Sequence, residues 1–411
     1  MKLHLQHISN ISSESLQITG SKSEANRLLI LQALYPEITI DNLSNSDDSH
    51  VMQKAIASNE ELVDIHHAGT AMRFLTSYFA TREGRKTILT GSERMQQRPI
   101  KILVDALKDL GADITYEKED GYPPIHLNGK KITTSKVSLQ ANVSSQYISS
   151  LMLVAPTLEN GLQIELIGKV TSVPYINMTL SLLSQIGVSG KFENNTISIE
   201  PLSKPVNTDL VVESDWSSAS YFYSLVALSK DAKITLGSYK KESYQGDSSL
   251  ASIYEHLGVK TSYGENTITL EKVSDFIVSE DAFNGPLDLA NSPDIAQTIA
   301  VTCFGLGVSC YLTGLHTLKI KETDRLEALK VEIEKLGGQV SITNEELKLA
   351  KAEVVNKDIA IDTYQDHRMA MAFAPLALRT SLIINEAEVV SKSYPDFWDD
   401  MRKIGFTTKD L

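Results

Sequence analysis

The segment Lys319-Ile320-Lys321-Glu322-Thr323-Asp324-Arg325-Leu326 puts two lysines, two carboxylates and an arginine side by side. An apolar helical pattern follows at Leu326, Leu329, Ile333 and Leu336, and Thr323 or Asp324 stands where a helix N-cap belongs. Free N–H groups and the helix dipole favour an anion at such an end. Further cations lie beside Gly, Ser or Pro turns: Lys22, Arg27, Arg98, Arg368 and Lys392. Each alone reads as surface solvation. Together they describe a site for a ligand with several negative charges, since arginine forks grip carboxylate and phosphate in pairs of hydrogen bonds. Two carboxylates complete the chemistry. Asp294 follows Pro293 at a helix start, and Glu322 is flanked by Lys321 and Arg325. One could take a proton from a hydroxyl while the other exchanges a proton with carbon. The plainer alternatives are an N-cap for Asp294 and a local ion pair for Glu322. Asp47-Asp48 lacks His or Cys partners at metal-ligand spacing and reads as capping.

Composition narrows the partners. The chain has 411 residues, 42% hydrophobic and 22% charged, with net charge −13, as in a soluble globular protein of two or three domains. The acidic balance argues against nucleic acid and anionic membrane as main partners. Cys303 and Cys310 lie in an apolar stretch without an adjacent base and read as buried thiols. Neither a Walker A loop nor a Rossmann glycine fingerprint occurs. The N-terminus has no apolar run of signal-peptide length, so a cytoplasmic location is expected. The uncharged run between Asp294 and Lys319 is broken by Gly305, Gly307 and Gly314, and predicts a buried helix, a glycine turn and a buried strand rather than a membrane span.

The positioning elements show as a repeat. Five helix-period segments end on an apolar residue and a glycine, at Gly111, Gly187, Gly258, Gly337 and Gly405, at intervals of roughly 70 residues. Glycine past a helix is the expected stop. A second set of helices starts on small polar residues and continues almost wholly apolar, beginning near Ser21, Ala68, Ser144, Asp215, Ser292 and Asp366. Helices apolar on every side belong inside, with sheets around them. Strands are expected at 87–90, 114–117, 163–167, 197–200, 233–236, 267–270, 308–313, 340–343 and 382–385. The weakest divide lies at 201–215.

In order along the chain, Gly20-Ser21-Lys22-Ser23 with Arg27, Ala68-Gly69-Thr70-Ala71-Met72-Arg73, Leu89-Thr90-Gly91 with Arg94 and Arg98-Pro99, Ser144-Ser145-Gln146, Asp215 with Ser217-Ser218-Ala219-Ser220, Pro293-Asp294, Lys321-Glu322-Thr323-Asp324-Arg325, Asp366-His367-Arg368 and Lys392-Ser393-Tyr394-Pro395 make a specific set. The chain resembles the 5-enolpyruvylshikimate-3-phosphate synthases, or 3-phosphoshikimate 1-carboxyvinyltransferases. The resemblance implies a two-domain inside-out α/β barrel, each domain three repeated βαβαββ units with buried helices. It implies a domain of residues 20–212 inserted into one of 1–19 and 213–411, with the active site in the cleft between them. It implies transfer of the enolpyruvyl group of phosphoenolpyruvate to the 5-hydroxyl of shikimate 3-phosphate without cofactor or metal, by a monomer.

The same resemblance implies roles. Ser23, Arg27, Ser144, Ser145, Ser172, Tyr175 and Lys321 would hold shikimate 3-phosphate. Gly69, Arg98, Arg325, Arg368 and Lys392 would hold phosphoenolpyruvate. Lys22 and Gln146 would touch both substrates. Asp294 would be the base at the 5-hydroxyl and Glu322 the proton carrier at the methylene carbon, with Lys22 as the third catalytic group. His67, Phe74 and Thr317 stand where the family usually has Asn, Pro and Asn. The alternatives are the related transferase acting on UDP-N-acetylglucosamine, whose loop cysteine has no counterpart in 91–99, and a non-catalytic anion-binding repeat protein.

Overall fold

A computed structural model describes residues 1–140, 144–168, 170 and 173–411. The five glycine stops all lie at positive φ, from 78° at Gly258 to 107° at Gly405. Only glycine takes that conformation without steric cost, so each helix ends there and the chain turns into a strand. The nine expected strands form, each within two residues of its anticipated bounds.

The chain divides into two units, Gly20–Val212 and Met1–Thr19 with Glu213–Leu411. The second unit holds three four-stranded sheets. In one, Glu14–Gln17 lies parallel to Lys233–Gly237, and Thr267–Lys272 and Val259–Tyr263 add on antiparallel. In the next, Asp281–Asp288 and Ser309–Thr313 are the parallel pair, followed by Leu347–Leu349 and Val340–Ile342. In the last, Ile359–Ile361 pairs parallel with Leu382–Ile384, and the N-terminal strand Leu3–Leu5 enters between it and Thr408–Asp410. A parallel pair needs a crossover long enough for a helix, whereas the antiparallel pair needs only a turn. That is the βαβαββ repeat.

The unit Gly20–Val212 repeats the pattern twice, on the parallel pairs Leu62–Asp64 with Lys86–Thr90 and Lys136–Gln140 with Leu162–Ile167. Its third sheet has two strands, Thr39–Asp41 and Asp209–Val211. The helix Asp47–Ala57 of this repeat ends at Ser58 in extended backbone, without a glycine or a hairpin after it. Five glycine signals thus correspond to six sheets.

The two helix sets differ in burial. Every residue of Gly69–Ala80 and of Trp216–Leu228 is buried, and so is all of Ala296–Leu306 except its C-terminal leucine. Each fully buried Val, Leu or Phe side chain contributes about 1.5–3 kcal/mol. The serines and threonines inside these helices bond to one another: Ser220 faces Thr298 at 2.9 Å, and Thr302 donates to Ser224 at 2.8 Å. The glycine-stopped helices bury only part of themselves, as in Lys101–Asp109. Strand residues alternate, as in Leu162–Ile167, so in each unit the sheets lie outside the helices with one face toward solvent. The uncharged run forms the helix Ala296–Leu306, a left-handed turn at Gly307 and the strand Ser309–Thr313. Among the described residues no helix is long and apolar enough to cross a membrane.

Candidate active site

In the unit containing Glu213–Leu411, charge converges at the starts of three helical segments. Asp324 caps the helix Arg325–Lys335 by accepting the Glu327 amide at 3.2 Å. This puts Arg325, at 1% exposure, inside the protein. Its guanidinium is used on three sides: Nε donates to Asp366 Oδ2 at 2.6 Å, Nη1 to Asp294 Oδ1 at 2.8 Å and Nη2 to Glu322 Oε2 at 2.8 Å. Asp294 sits inside the one-turn segment Pro293–Ile295, whose N-cap position is Ser292. Its carboxylate faces Lys321 Nζ at 3.5 Å and Arg368 Nη2 at 3.3 Å. Arg368 also donates to the Asp294 carbonyl at 3.2 Å. Asp366 caps its own helix, His367–Phe373, by accepting the Arg368 amide. Lys392 Nζ donates to the Gln365 carbonyl at 2.7 Å.

The electrostatics follow. Burial alone would raise the Asp294 carboxyl, but Arg368, Lys321 and Arg325 outweigh it and hold it well below the usual range. Asp247, in the one-turn helix Gly246–Ser249, moves the other way: burial, then the Asp294 charge, push it up to about 8. Its segment is fastened by Gln245, which accepts the Trp216 amide and donates to the Ser214 carbonyl, both at 2.9 Å. Two carboxyl groups with opposite shifts in one cluster are the arrangement that acid–base chemistry uses.

In the unit Gly20–Val212 the cations have different company. Lys22 opens its helix and faces Asp48 at 3.6 Å. Ser46, rather than either aspartate, caps the helix Asp47–Ala57. The expected capping role of Asp47-Asp48 thus passes to Ser46, because a serine one residue upstream reaches the free Ser49 amide. Arg27 is buried and donates to Thr179 at 2.8 Å, Ser149 at 2.9 Å and the Ser23 carbonyl at 2.6 Å. Burial lowers its guanidinium to about 10. Arg73 is lowered to about 10 by burial, then by Arg98. Gly69 begins its helix so close to Arg98 that a Cβ there would lie 2.6 Å from Nη1. Ser144 caps the helix Ser145–Val154, and Gln146 Nε2 donates to Thr70 at 3.1 Å. The Tyr175 ring lies 5.8 Å from the Arg27 guanidinium carbon. Ser172 falls outside the described residues.

The structure therefore brings Asp294, Lys321, Glu322, Arg325 and Arg368 into one cluster, with Lys392 bonded to the Gln365 carbonyl just before Asp366. It gathers Ser23, Arg27 and Tyr175 in a second group, and Gly69 and Arg98 in a third. Sequence reasoning gave Asp366 only a helix start and passed over Asp247. Asp366 had a signal, an acid beside an expected site arginine, but its bond to Arg325 spans 41 residues. Among the described residues no three His, Cys, Asp or Glu side chains gather as metal ligands.

Comparison with known proteins supplies the family. The sequence model described as EPSP synthase (3-phosphoshikimate 1-carboxyvinyltransferase) matches residues 52–401. A 3-phosphoshikimate 1-carboxyvinyltransferase of Bacteroides fragilis is 47% identical over 401 residues, 96% of each chain. One from Haemophilus influenzae is 35% identical over 444 aligned positions, covering 98% of this chain and 99% of that one. The solved EPSP synthase of Acinetobacter baumannii superposes with a TM-score of 0.79 at 19% identity over the whole of both chains, which shows the shared fold. With matches along almost its entire length, the chain belongs to the EPSP synthase family, the 3-phosphoshikimate 1-carboxyvinyltransferases.

Proposed function

We infer that this enzyme, which transfers the enolpyruvyl group of phosphoenolpyruvate to the 5-hydroxyl of shikimate 3-phosphate and releases phosphate, works through the cluster around Asp294. The observation that carries this reading is the meeting of Lys321, Arg325 and Arg368 on that one carboxylate. Three cations on one acid exceed what a structural ion pair needs, and they suit a ligand with carboxylate and phosphate groups.

In this reading Gly69, Arg98, Arg325, Arg368 and Lys392 hold phosphoenolpyruvate. Ser23, Arg27, Ser144, Ser145, Ser172, Tyr175 and Lys321 hold shikimate 3-phosphate, and Lys22 and Gln146 reach both. Asp294 takes the proton of the 5-hydroxyl as its oxygen bonds to the central carbon of phosphoenolpyruvate. Glu322 delivers a proton to the methylene carbon, which becomes a methyl group. In the second half the methyl group returns a proton to Glu322, the carbon–phosphate oxygen bond breaks, and phosphate leaves. An acid held low is a weak base. When substrate anions claim the N–H groups that Arg325 and Arg368 now give Asp294, the charges depressing its carboxyl are neutralised and its basicity rises where the proton must be accepted.

The two units correspond in this reading to the family's two domains, and all the residues named come from one chain, so a monomer suffices. The acidic composition and two buried thiols suit the cytoplasm. The test is phosphate release from phosphoenolpyruvate by the purified enzyme. Release is expected only with shikimate 3-phosphate present. Release with UDP-N-acetylglucosamine in its place would assign the related reaction, and none with either would leave an anion-binding protein.

A further inference from the structure

The helix that begins at Arg325 carries, two turns on, a carboxylate that the reaction does not use. Glu332 is fully buried. Its Oε1 accepts the Tyr364 hydroxyl at 2.6 Å and Lys335 Nζ at 2.8 Å, and its Oε2 accepts the Asp362 amide at 3.2 Å. Lys335 continues to Asp362 Oδ2 at 2.7 Å. These contacts converge on a short segment whose backbone is unusual. Tyr364 and Gln365 both lie in the left-handed region, at φ 54° and 55°. Side chains with a Cβ rarely adopt that region, and two in succession persist only when their surroundings hold them.

What the segment presents explains why it is held. The Gln365 carbonyl accepts Lys392 Nζ at 2.7 Å. The next residue, Asp366, accepts Arg325 Nε at 2.6 Å and the Arg368 amide at 2.9 Å. A relaxed Tyr364–Gln365 pair would turn the Gln365 carbonyl away from Lys392 and shift Asp366 against both arginines.

We propose that Glu332 and Tyr364 are positioning residues for phosphoenolpyruvate: their hydrogen bond holds the left-handed Tyr364–Gln365 pair so that Lys392, Arg325 and Arg368 stand in register for that substrate. This rests on reading those three cations as its ligands. Neither Glu332 nor Tyr364 touches the substrate. They act through the loop.

Steady-state kinetics of Tyr364→Phe, Glu332→Gln and Lys392→Ala test it, with KM measured for each substrate separately. Tyr364 is 36% exposed, so Tyr364→Phe removes one hydroxyl without opening a cavity. It is expected to raise KM for phosphoenolpyruvate about tenfold, the scale of one charge-assisted hydrogen bond, with KM for shikimate 3-phosphate unchanged. Glu332→Gln keeps an oxygen for the phenol and is expected to give a smaller rise. If Lys392→Ala raises KM for phosphoenolpyruvate while Tyr364→Phe leaves it alone, or raises both KM values equally, the positioning role is overturned and the ligand reading stands. If Lys392→Ala itself leaves that KM unchanged, the ligand reading falls and the proposal with it.

Discussion

Arg325 and Arg27 are both buried, yet they are held in opposite ways. Arg325 gives its N–H groups to three carboxylates, Asp366, Asp294 and Glu322, and although burial opposes its charge, those acids raise its pKa further. Arg27 gives its N–H groups to two hydroxyls and a carbonyl and lies against the rings of Phe74 and Tyr175. Burial wins there, and the weaker pull of Tyr175 and Glu24 leaves it at about 10. Arg73 repeats the second pattern, with the carbonyls of Gly69 and Pro99. A buried charge is costly unless something of opposite sign approaches. One unit carries that compensation in its own acids. The other holds Arg27 and Arg73 chiefly on neutral dipoles.

The contrast breaks most visibly on removing each arginine. Arg325→Met strands the wholly buried Asp366, while Asp294 keeps Lys321 and Arg368, and should lower stability by about 3–5 kcal/mol. Arg27→Met removes a desolvated cation and leaves its partner Thr179 the hydrogen bond it already donates to the Tyr175 carbonyl at 2.8 Å. It should cost about 1 kcal/mol while raising KM for shikimate 3-phosphate. Denaturant midpoints for both variants measure this, and equal losses would erase the distinction.

Gly69→Ala sharpens it at a second place. The added Cβ would meet Arg98 Nη1 at 2.6 Å and Cζ at 3.2 Å. Those atoms are the free end of a flexible side chain, so the helix forms and the cation moves. KM for phosphoenolpyruvate should rise about tenfold, as displaced contacts do, with the thermal midpoint kept or raised, since alanine favours the helix. An unchanged KM would show that Arg98 does not meet that substrate.

A further difference is in pH dependence. Asp247 is pushed up to about 8, whereas the unfolded chain releases this proton at about 3.9. Between those values the folded state keeps a proton that the unfolded state has lost, so this group makes stability fall as pH rises, levelling above about 8. Asp294, held low, acts oppositely: its contribution is present above the unfolded value and is lost only in acid. Asp247→Asn should flatten the decline in stability across pH 5–8, and remove a rise in KM for phosphoenolpyruvate above about pH 8, where the ionised parent carboxylate competes for Arg368 and Lys321. Identical slopes in parent and variant would contradict this.

Local rules made much of the fold legible. Gly111, Gly187, Gly258, Gly337 and Gly405 announced left-handed stops because no other residue takes that backbone cheaply. The apolar run after Asp215 announced a buried helix because no face of it suits water. The sixth repeat stayed hidden because its second helix ends at Ser58, with no glycine stop and no hairpin to announce it. In the site, KETDR and Pro293-Asp294 stood out by composition. The Glu332–Tyr364 bond did not, since 32 residues separate its partners and a mid-helix glutamate looks solvated until the sheets close over it. The same holds for Asp247, whose shift comes from burial and from Asp294 rather than from its neighbours in sequence.

The most direct test of the assigned chemistry is single-turnover phosphate release by Asp294→Ala and Glu322→Ala with both substrates saturating. The account predicts that each variant still binds shikimate 3-phosphate and phosphoenolpyruvate but releases phosphate about 10²-fold more slowly or worse. Parental rates in both variants would contradict it.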